Sequence, residues 1–178
     1  KAIKNNHELI KHVSGERIRD ELLKIIASQY PADGVLMLYN TGLLDYIFPE
    51  LVSAVGVQQA GPHIYDVFTH SIESLRNCPS DKTIVRLATL LHDVGKPVAF
   101  RIIDGGITFY GHEVVGARMV KQIAERLRLS TDQKEELWTL VRWHMFAYQP
   151  EMTDASIRRF MKRVGRERIP DIMALRVG

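Results

Sequence analysis

One cysteine, Cys78, occurs in 178 residues, which excludes a disulfide framework and any multi-cysteine zinc site. Long apolar runs are also missing. The longest, residues 35–39 and the stretch around Leu90 and Leu91, fall far short of the roughly 20 residues a membrane span needs. The chain opens on Lys1 with no apolar h-region behind it, so no secretory leader is legible. No internal repeat or low-complexity tract interrupts it. What is present suffices for one domain, or one with a helical extension, and a chain of this size buries roughly 70% of its unfolded surface without disulfide or metal support. The expectation is a soluble, cytoplasmic chain with no membrane partner, a segment of something longer.

A strong excess of one charge is likewise lacking: 24 Lys and Arg stand against 21 Asp and Glu, a net +3. That balance is too mild to mark a nucleic-acid partner, but its distribution is uneven. Residues 157–168 hold Arg158, Arg159, Lys162, Arg163, Arg166 and Arg168 against one acid, Glu167. Two readings stand side by side, a phosphate-holding surface and a solvated helix face.

The hydropathy pattern is helical almost throughout. Ser14 stands as an N-cap before a stripe of Ile18, Leu22, Ile25 and Ile26. Pro31 suits the first turn of a second helix that Gly42 stops, and Pro49 breaks 43–55 into short pieces. After a loop at 58–62, helices are expected over 64–76 and 81–94, the latter closed by Gly95 and Pro97. Residues 98–110 depart from helix: β-branched and aromatic residues flank Asp104-Gly105-Gly106, a hairpin signature. Helix resumes over 112–129. Ser130 and Gln133 form a capping box for the next helix, to about 146. Thr153 or Asp154 caps one that ends near Gly165, and a last helix starts at Glu167. The fold class is all-α with one small hairpin.

Five of the seven histidines carry interest: His63, His70, His92, His112 and His144. His92 precedes Asp93 at the inner end of an apolar helix, where two titratable groups are costly unless paired or metal-bound. Both can reach one ion where the helix ends beneath it, and Gly95 permits that tight exit. His70, His92, Asp93, His112 and His144 make a nitrogen and oxygen set without thiolates. Such a set suits one or two divalent ions, with Mg, Mn, Ni, Fe and Zn all open. An ion held there polarises a phosphoryl oxygen and acidifies water. Each residue also has a plainer reading. Lys96 neutralises a helix C-terminus, His112 caps its helix, and His144 packs beside Trp143.

The ordered set of His70, Leu91-His92-Asp93-Val94-Gly95-Lys96-Pro97, Gly111-His112-Glu113 and His144 resembles the HD superfamily of metal-dependent phosphohydrolases. Within it, the chain is similar to the C-terminal part of bacterial tRNA nucleotidyltransferases and poly(A) polymerases that carry an HD domain. Residues 13–22 and 42–51 are similar to the helical neck of those enzymes, and 63–70, 104–117 and 153–165 also fit. The resemblance implies a neck over 1–56 and an HD domain over 62–178. It implies His70, His92 and Asp93 as first metal ligands, and His112 and His144 as a second site or phosphate contacts. Asp93 and Lys96 would be catalytic, with Lys96 near the substrate phosphate.

The implied function is hydrolysis of a phosphomonoester or 2′,3′-cyclic phosphodiester, at an RNA end, in a protein of tRNA 3′-end processing. The partner would be RNA, above all tRNA, met by Arg17, Arg19, Arg158, Arg159, Lys162 and Arg163. A small phosphate-containing substrate is the other implied partner. Two departures qualify this. The superfamily's further aspartate, late in the last helix, is expected just where Leu175-Arg176-Val177-Gly178 stops, so either the chain is trimmed before that ligand or the ligand is absent; Asp171, the last acid, lies about two turns too early. Nucleotide transfer in those enzymes needs paired aspartates as Asp-x-Asp, which occurs nowhere here. The alternative is therefore an RNA-binding scaffold that positions tRNA for a head domain. A freestanding hydrolase of small nucleotides fits worse, because the first 55 residues resemble a neck.

Overall fold

The computed structural model describes residues 1–62, 64–146 and 149–177; His63 and Gly178, which the sequence reading includes, lie outside them. The chain begins with α1 (Ala2–Asn6) and a 3-10 segment (His7–His12). Ser14 then caps α2 (Gly15–Ala27), its hydroxyl accepting from the Arg17 amide at 3.3 Å. The apolar stripe buries Leu22 and Ile26 fully, and Ile18 and Ile25 partly. Pro31 opens α3 (Pro31–Asn40), and the chain leaves it through Gly42 at φ +85°, a conformation open to glycine at little cost. Residues 43–55 break into α4 (Leu44–Ile47) and α5 (Pro49–Val52) on either side of Phe48, as a proline that cannot donate requires.

α6 (Val67–Arg76) starts three residues later than the expected 64, because Asp66 takes the cap. Its carboxylate accepts from the Thr69 amide at 2.7 Å and from the Gly56 amide at 2.7 Å. α7 (Thr83–Leu91) is shorter than the expected 81–94. Residues 92–95 form a turn in which the Lys96 amide donates to the Asp93 carbonyl at 3.0 Å, and α8 (Lys96–Ala99) follows. The hairpin is present as β1 (Arg101–Ile103) and β2 (Gly106–Thr108), in register Arg101–Thr108 and Ile103–Gly106. Asp104 and Gly105 turn it at φ 51° and 77°, the pair of left-handed residues that a two-residue hairpin turn needs.

α9 (His112–Arg126) ends short of the expected 129, where Arg128 adopts φ 54°. α10 (Thr131–Arg142) opens on the complete Ser130/Gln133 capping box but ends four residues before 146. α11 (Asp154–Val164) is capped by Thr153. A 3-10 turn (Arg166–Arg168) leads into α12 (Ile169–Val177). Among the described residues no helix is long and apolar enough to cross a membrane.

α7 runs through the middle, packed by α2, α6, α10 and α12, with α9 laid on α10. Its Leu87, Leu90 and Leu91 are fully buried. The same core continues without a break into Leu22, Ile26, Val35, Phe48 and Leu51 of the N-terminal helices, so segments 1–56 and 62–178 share one interior. Arginines staple the seam. Arg86 donates to the Ile26 and Ser28 carbonyls at 3.1 and 3.0 Å, closing the C-terminus of α2 where a cation is favoured. Arg126 clamps Glu50 at 2.7 and 3.0 Å and the Ile47 carbonyl at 2.9 Å.

Candidate metal centre

Two glycines bring the centre together. A Cβ on Gly95 would run into the His112 carbonyl and the Gly116 backbone, and one on Gly116 would meet the Gly95 amide nitrogen at 3.4 Å. The turn after α7 can therefore touch the first turn of α9 backbone to backbone. That contact places His92 and Asp93 against His112, while α6 and α10 contribute His70 and, just past the end of α10, His144.

Asp93 is the hub. Its Oδ2 lies 3.3 Å from His70 Nε2, 3.2 Å from His92 Nε2 and 3.1 Å from Lys96 Nζ. Its Oδ1 lies 3.2 Å from His112 Nε2 and 3.5 Å from His144 Nε2. The structure thus brings all six residues expected in the metal and catalytic set to one carboxylate. Asp93, His92, His112 and His144 are buried, whereas His70, with a side chain 32% exposed, forms the open side.

Three of the imidazoles are oriented in one way. His92 Nδ1 meets the Thr89 carbonyl at 2.5 Å, His144 Nδ1 meets Val141 at 2.6 Å, and His112 Nδ1 meets Phe109 at 3.1 Å, each three residues upstream. A carbonyl only accepts, so each Nδ1 carries the proton. For His92 and His144 the acceptors are last-turn carbonyls, which a helix end leaves short of partners. The Nε2 lone pairs then face the Asp93 oxygens and, for His112 and His144, each other at 3.3 Å. Acceptors converging on acceptors are stable only around a cation, whether protons or a metal ion, and a carbonyl accepting from the far nitrogen of each ring is the usual support of metal-ligating histidine.

Two ligand trios satisfy the distance requirement, His70/His92/Asp93 and Asp93/His112/His144, the ligand atoms of each lying within 4.8 Å of one another. The residues present therefore fit one divalent ion, or two, with Asp93 common to both trios.

The electrostatics agree. In the metal-free cluster, where protons take the cation's place at Nε2, burial pushes Asp93 up, but the His92 charge and hydrogen bonds from His112, His144 and His70 overcome it and hold the carboxyl well below its usual range. Burial also pulls His92 down, yet the Asp93 charge and hydrogen bond and the Thr89 carbonyl leave it above an ordinary imidazole. Burial, aided by the His92 charge, keeps His144 below one. Of these two rings, His92 thus holds a proton more readily than His144 in the metal-free cluster.

The other expected residues are placed elsewhere. Arg17 is exposed on α2, and Arg19 donates to the Arg128 carbonyl at 2.7 Å and to Asp20. Arg158, Arg159, Lys162 and Arg163 are exposed on α11, with the Arg163 guanidinium 5.3 Å from the Trp143 ring centre. Asp171 is paired with Lys82 at 3.1 Å and takes no part in either ligand trio. Two site residues escaped the sequence reading. Gln59 Oε1 accepts from Lys96 Nζ at 2.8 Å, and Phe109 lies under the same ammonium, 5.3 Å from its ring centre. Neither shows a periodic or motif signal.

Two family models match the chain. Residues 62–173 match the HD domain family. Residues 1–55 match the family described as "Probable RNA and SrmB-binding site of polymerase A". The chain belongs to the HD-domain family. It is 43% identical over 166 residues to an A-adding tRNA nucleotidyltransferase of Deinococcus radiodurans, covering 90% of this chain and 38% of that protein. It is 34% identical over 166 residues to a CC-adding tRNA nucleotidyltransferase of Thermus thermophilus, with the same 90% and 38% coverage. A Multifunctional CCA protein of Legionella pneumophila is 29% identical over 170 residues, covering 92% of this chain and 40% of that protein. The chain spans about two fifths of the length of the curated relatives it matches, 38% to 40%.

Proposed function

We propose that the chain is a metal-dependent phosphohydrolase module acting on a phosphomonoester or 2′,3′-cyclic phosphodiester at an RNA end, within a cytoplasmic tRNA nucleotidyltransferase-like protein of tRNA 3′-end processing. The observation that carries this reading is the Asp93 carboxylate ringed by four imidazoles and one ammonium. His70, His92 and Asp93 would hold one ion, and Asp93, His112 and His144 a second. The abundance of imidazole favours Fe, Ni or Zn over Mg. A bound ion supplies Lewis acidity toward a phosphoryl oxygen and acidifies water. The chain's own groups do the rest. The Thr89, Val141 and Phe109 carbonyls fix the ring tautomers. Burial keeps water from shielding the centre. Lys96 stabilises the negative charge that gathers on the phosphoryl oxygens as water adds to phosphorus and the ester oxygen leaves with a proton.

The test is elemental analysis of chelator-free protein beside His92→Ala/Asp93→Ala, followed by a screen of RNA-end phosphates with the metal-replete protein. About one or two ions per chain, lost in the variant, with phosphate release from wild type alone, is the expected result. A metal-replete protein that turns over neither phosphomonoesters nor cyclic phosphodiesters sinks the hydrolase.

The match of residues 1–55 to an RNA-binding family favours a second reading, a scaffold that positions tRNA for nucleotide transfer. RNA binding that survives in the metal-free double variant, with no turnover in wild type, would select it.

A further inference from the structure

Lys96 is held from three sides. Its Nζ lies 3.1 Å from Asp93 Oδ2, 2.8 Å from Gln59 Oε1 and 5.3 Å from the Phe109 ring centre, and its side chain is only 15% exposed. Asp93 belongs to the same turn. Phe109 comes from the end of the hairpin, and its carbonyl also receives the His112 Nδ1 proton. Gln59 has a different origin. It lies between residues 55 and 62, outside both segments that match known families.

The loop that carries Gln59 is tied at its ends. Asp66 accepts from the Gly56 amide at 2.7 Å, and the Val67 amide donates to the Val57 carbonyl at 2.9 Å. Within it, Gln59 Nε2 donates to the Tyr65 carbonyl at 3.4 Å. That bond turns the amide so that its oxygen faces Lys96, an orientation set by the donor and acceptor chemistry of the two neighbours.

The three holders differ in charge. Asp93 is anionic, but the two ligand trios draw on its oxygens, and any cation bound there takes up its charge. The ammonium is then left against an amide oxygen and an aromatic face. Both position a cation without cancelling it. A carboxylate in place of the amide would cancel it.

We infer that Gln59 is a positioning residue that holds the Lys96 ammonium uncancelled at the open side of the metal centre, as the seat of a phosphoryl group's non-reacting oxygens. Its being an amide rather than an acid leaves the charge of Lys96 available to a dianion. The inference rests on the proposed phosphohydrolase and names the subsite that would select its anionic substrate. It makes the loop between the N-terminal helices and the HD segment part of the site.

The test uses the whole chain, loaded with metal, and inorganic phosphate as the probe, titrated calorimetrically into wild type, Gln59→Leu, Gln59→Glu and Lys96→Met. Metal content and melting temperature are measured on each. Gln59→Leu loses one hydrogen bond to a charged group, so its phosphate affinity falls about threefold to tenfold. Gln59→Glu falls further, about tenfold or more, because a nearby carboxylate repels the anion and neutralises Lys96. Lys96→Met loses at least as much. Metal content and melting temperature stay at wild-type values in both Gln59 variants. A merely structural role for the loop predicts the reverse order, since glutamate is nearly isosteric with glutamine and keeps the bond to Lys96.

Equal phosphate affinity at wild type, Leu and Glu overturns the inference, as does a spared Glu variant. So does a wild-type protein that binds no phosphate. The underlying reading fails separately. A wild type whose phosphate affinity responds to residue 59 but which hydrolyses no ester keeps the seat and loses the hydrolase.

Discussion

The metal centre and the basic face of α11 both gather chemistry-bearing side chains, yet they are built on opposite terms. In the centre, Asp93, His92, His112 and His144 are buried, and three imidazoles are pinned by backbone carbonyls. On α11, Arg158, Arg159 and Lys162 are exposed, and among the described residues no ion pair engages them. A buried cluster must satisfy every lone pair in place, so its geometry commits it to a ligand of one size and charge. An exposed cluster offers only a field, which many anions can enter and salt can screen. The first should respond to metal and protons, the second to salt.

The largest expected effect breaks the first cluster alone. His92→Ala removes a ligand of the His70/His92/Asp93 trio and should lower metal affinity by at least about a hundredfold, the upper range seen for losing a mere supporting partner. RNA affinity at fixed salt should hardly change. Metal titration and an RNA binding assay on the same sample read both. A parallel loss of RNA binding would show that the two clusters act as one.

The pH and salt responses sharpen the same contrast. Protons compete with metal for Nε2. Burial lowers His92, but the Asp93 charge outweighs it and leaves the ring above an ordinary imidazole. Metal affinity should therefore begin to weaken at a pH above an ordinary imidazole's range and weaken further as pH falls. A guanidinium keeps its charge throughout, so RNA binding should be flat over that range. Raising salt from about 50 to about 200 mM should do the opposite, weakening RNA binding steeply and metal occupancy little. Metal content by elemental analysis and RNA affinity by anisotropy check the crossing pattern.

A smaller effect isolates the second cluster. Reversing Arg158, Arg159 and Lys162 to Glu should lower RNA affinity and flatten its logarithmic salt slope by roughly two to three units, if each side chain contacts one phosphate. Metal content should stay constant. An unchanged slope would reduce the basic run to a solvated helix face.

How much of this was legible in the sequence follows from whether a feature is contiguous. The turn after α7 is written in seven consecutive residues, Leu91 to Pro97, and Gly95 marks the close backbone approach that the structure shows. The Ser14, Ser130 and Thr153 caps are likewise local pairings within three residues. Helix ends were read too long at α7 and α9 because apolar residues continue past them: Val94 in the turn and Leu127 and Leu129 beyond α9 are buried, so periodicity runs on where hydrogen bonding stops. Gln59 and Phe109 were illegible, since their link to Lys96 spans 37 and 13 residues and obeys no period. Arg19 shows the limit of charge as a signal. A solvated arginine and one spent on the Arg128 carbonyl look alike in sequence.

The smallest expected effect lies at Asp66, which joins the Gln59 loop to α6 without touching either cluster. Burial tends to raise its pKa, but hydrogen bonds from the Thr69 side chain and from the Gly56 and Thr69 amides outweigh that and lower it. A carboxylate with a depressed folded value adds stability above its unfolded value, about 3.9, and loses it as pH falls through the folded value. Asp66→Ala removes the cap and should cost about 1 kcal/mol at neutral pH, less as acid protonates the wild-type group. Asp66→Asn keeps an acceptor at the cap, so it should retain most of the neutral-pH stability while losing the acid-dependent part. Denaturant melts at neutral and acid pH separate the two variants. Because Asp66 anchors the loop, phosphate affinity measured on the same samples also tells whether the seat at Lys96 needs a tight loop or only the Gln59 side chain. Wild-type affinity in Asp66→Asn with a drop in Asp66→Ala would assign it to the loop's anchoring.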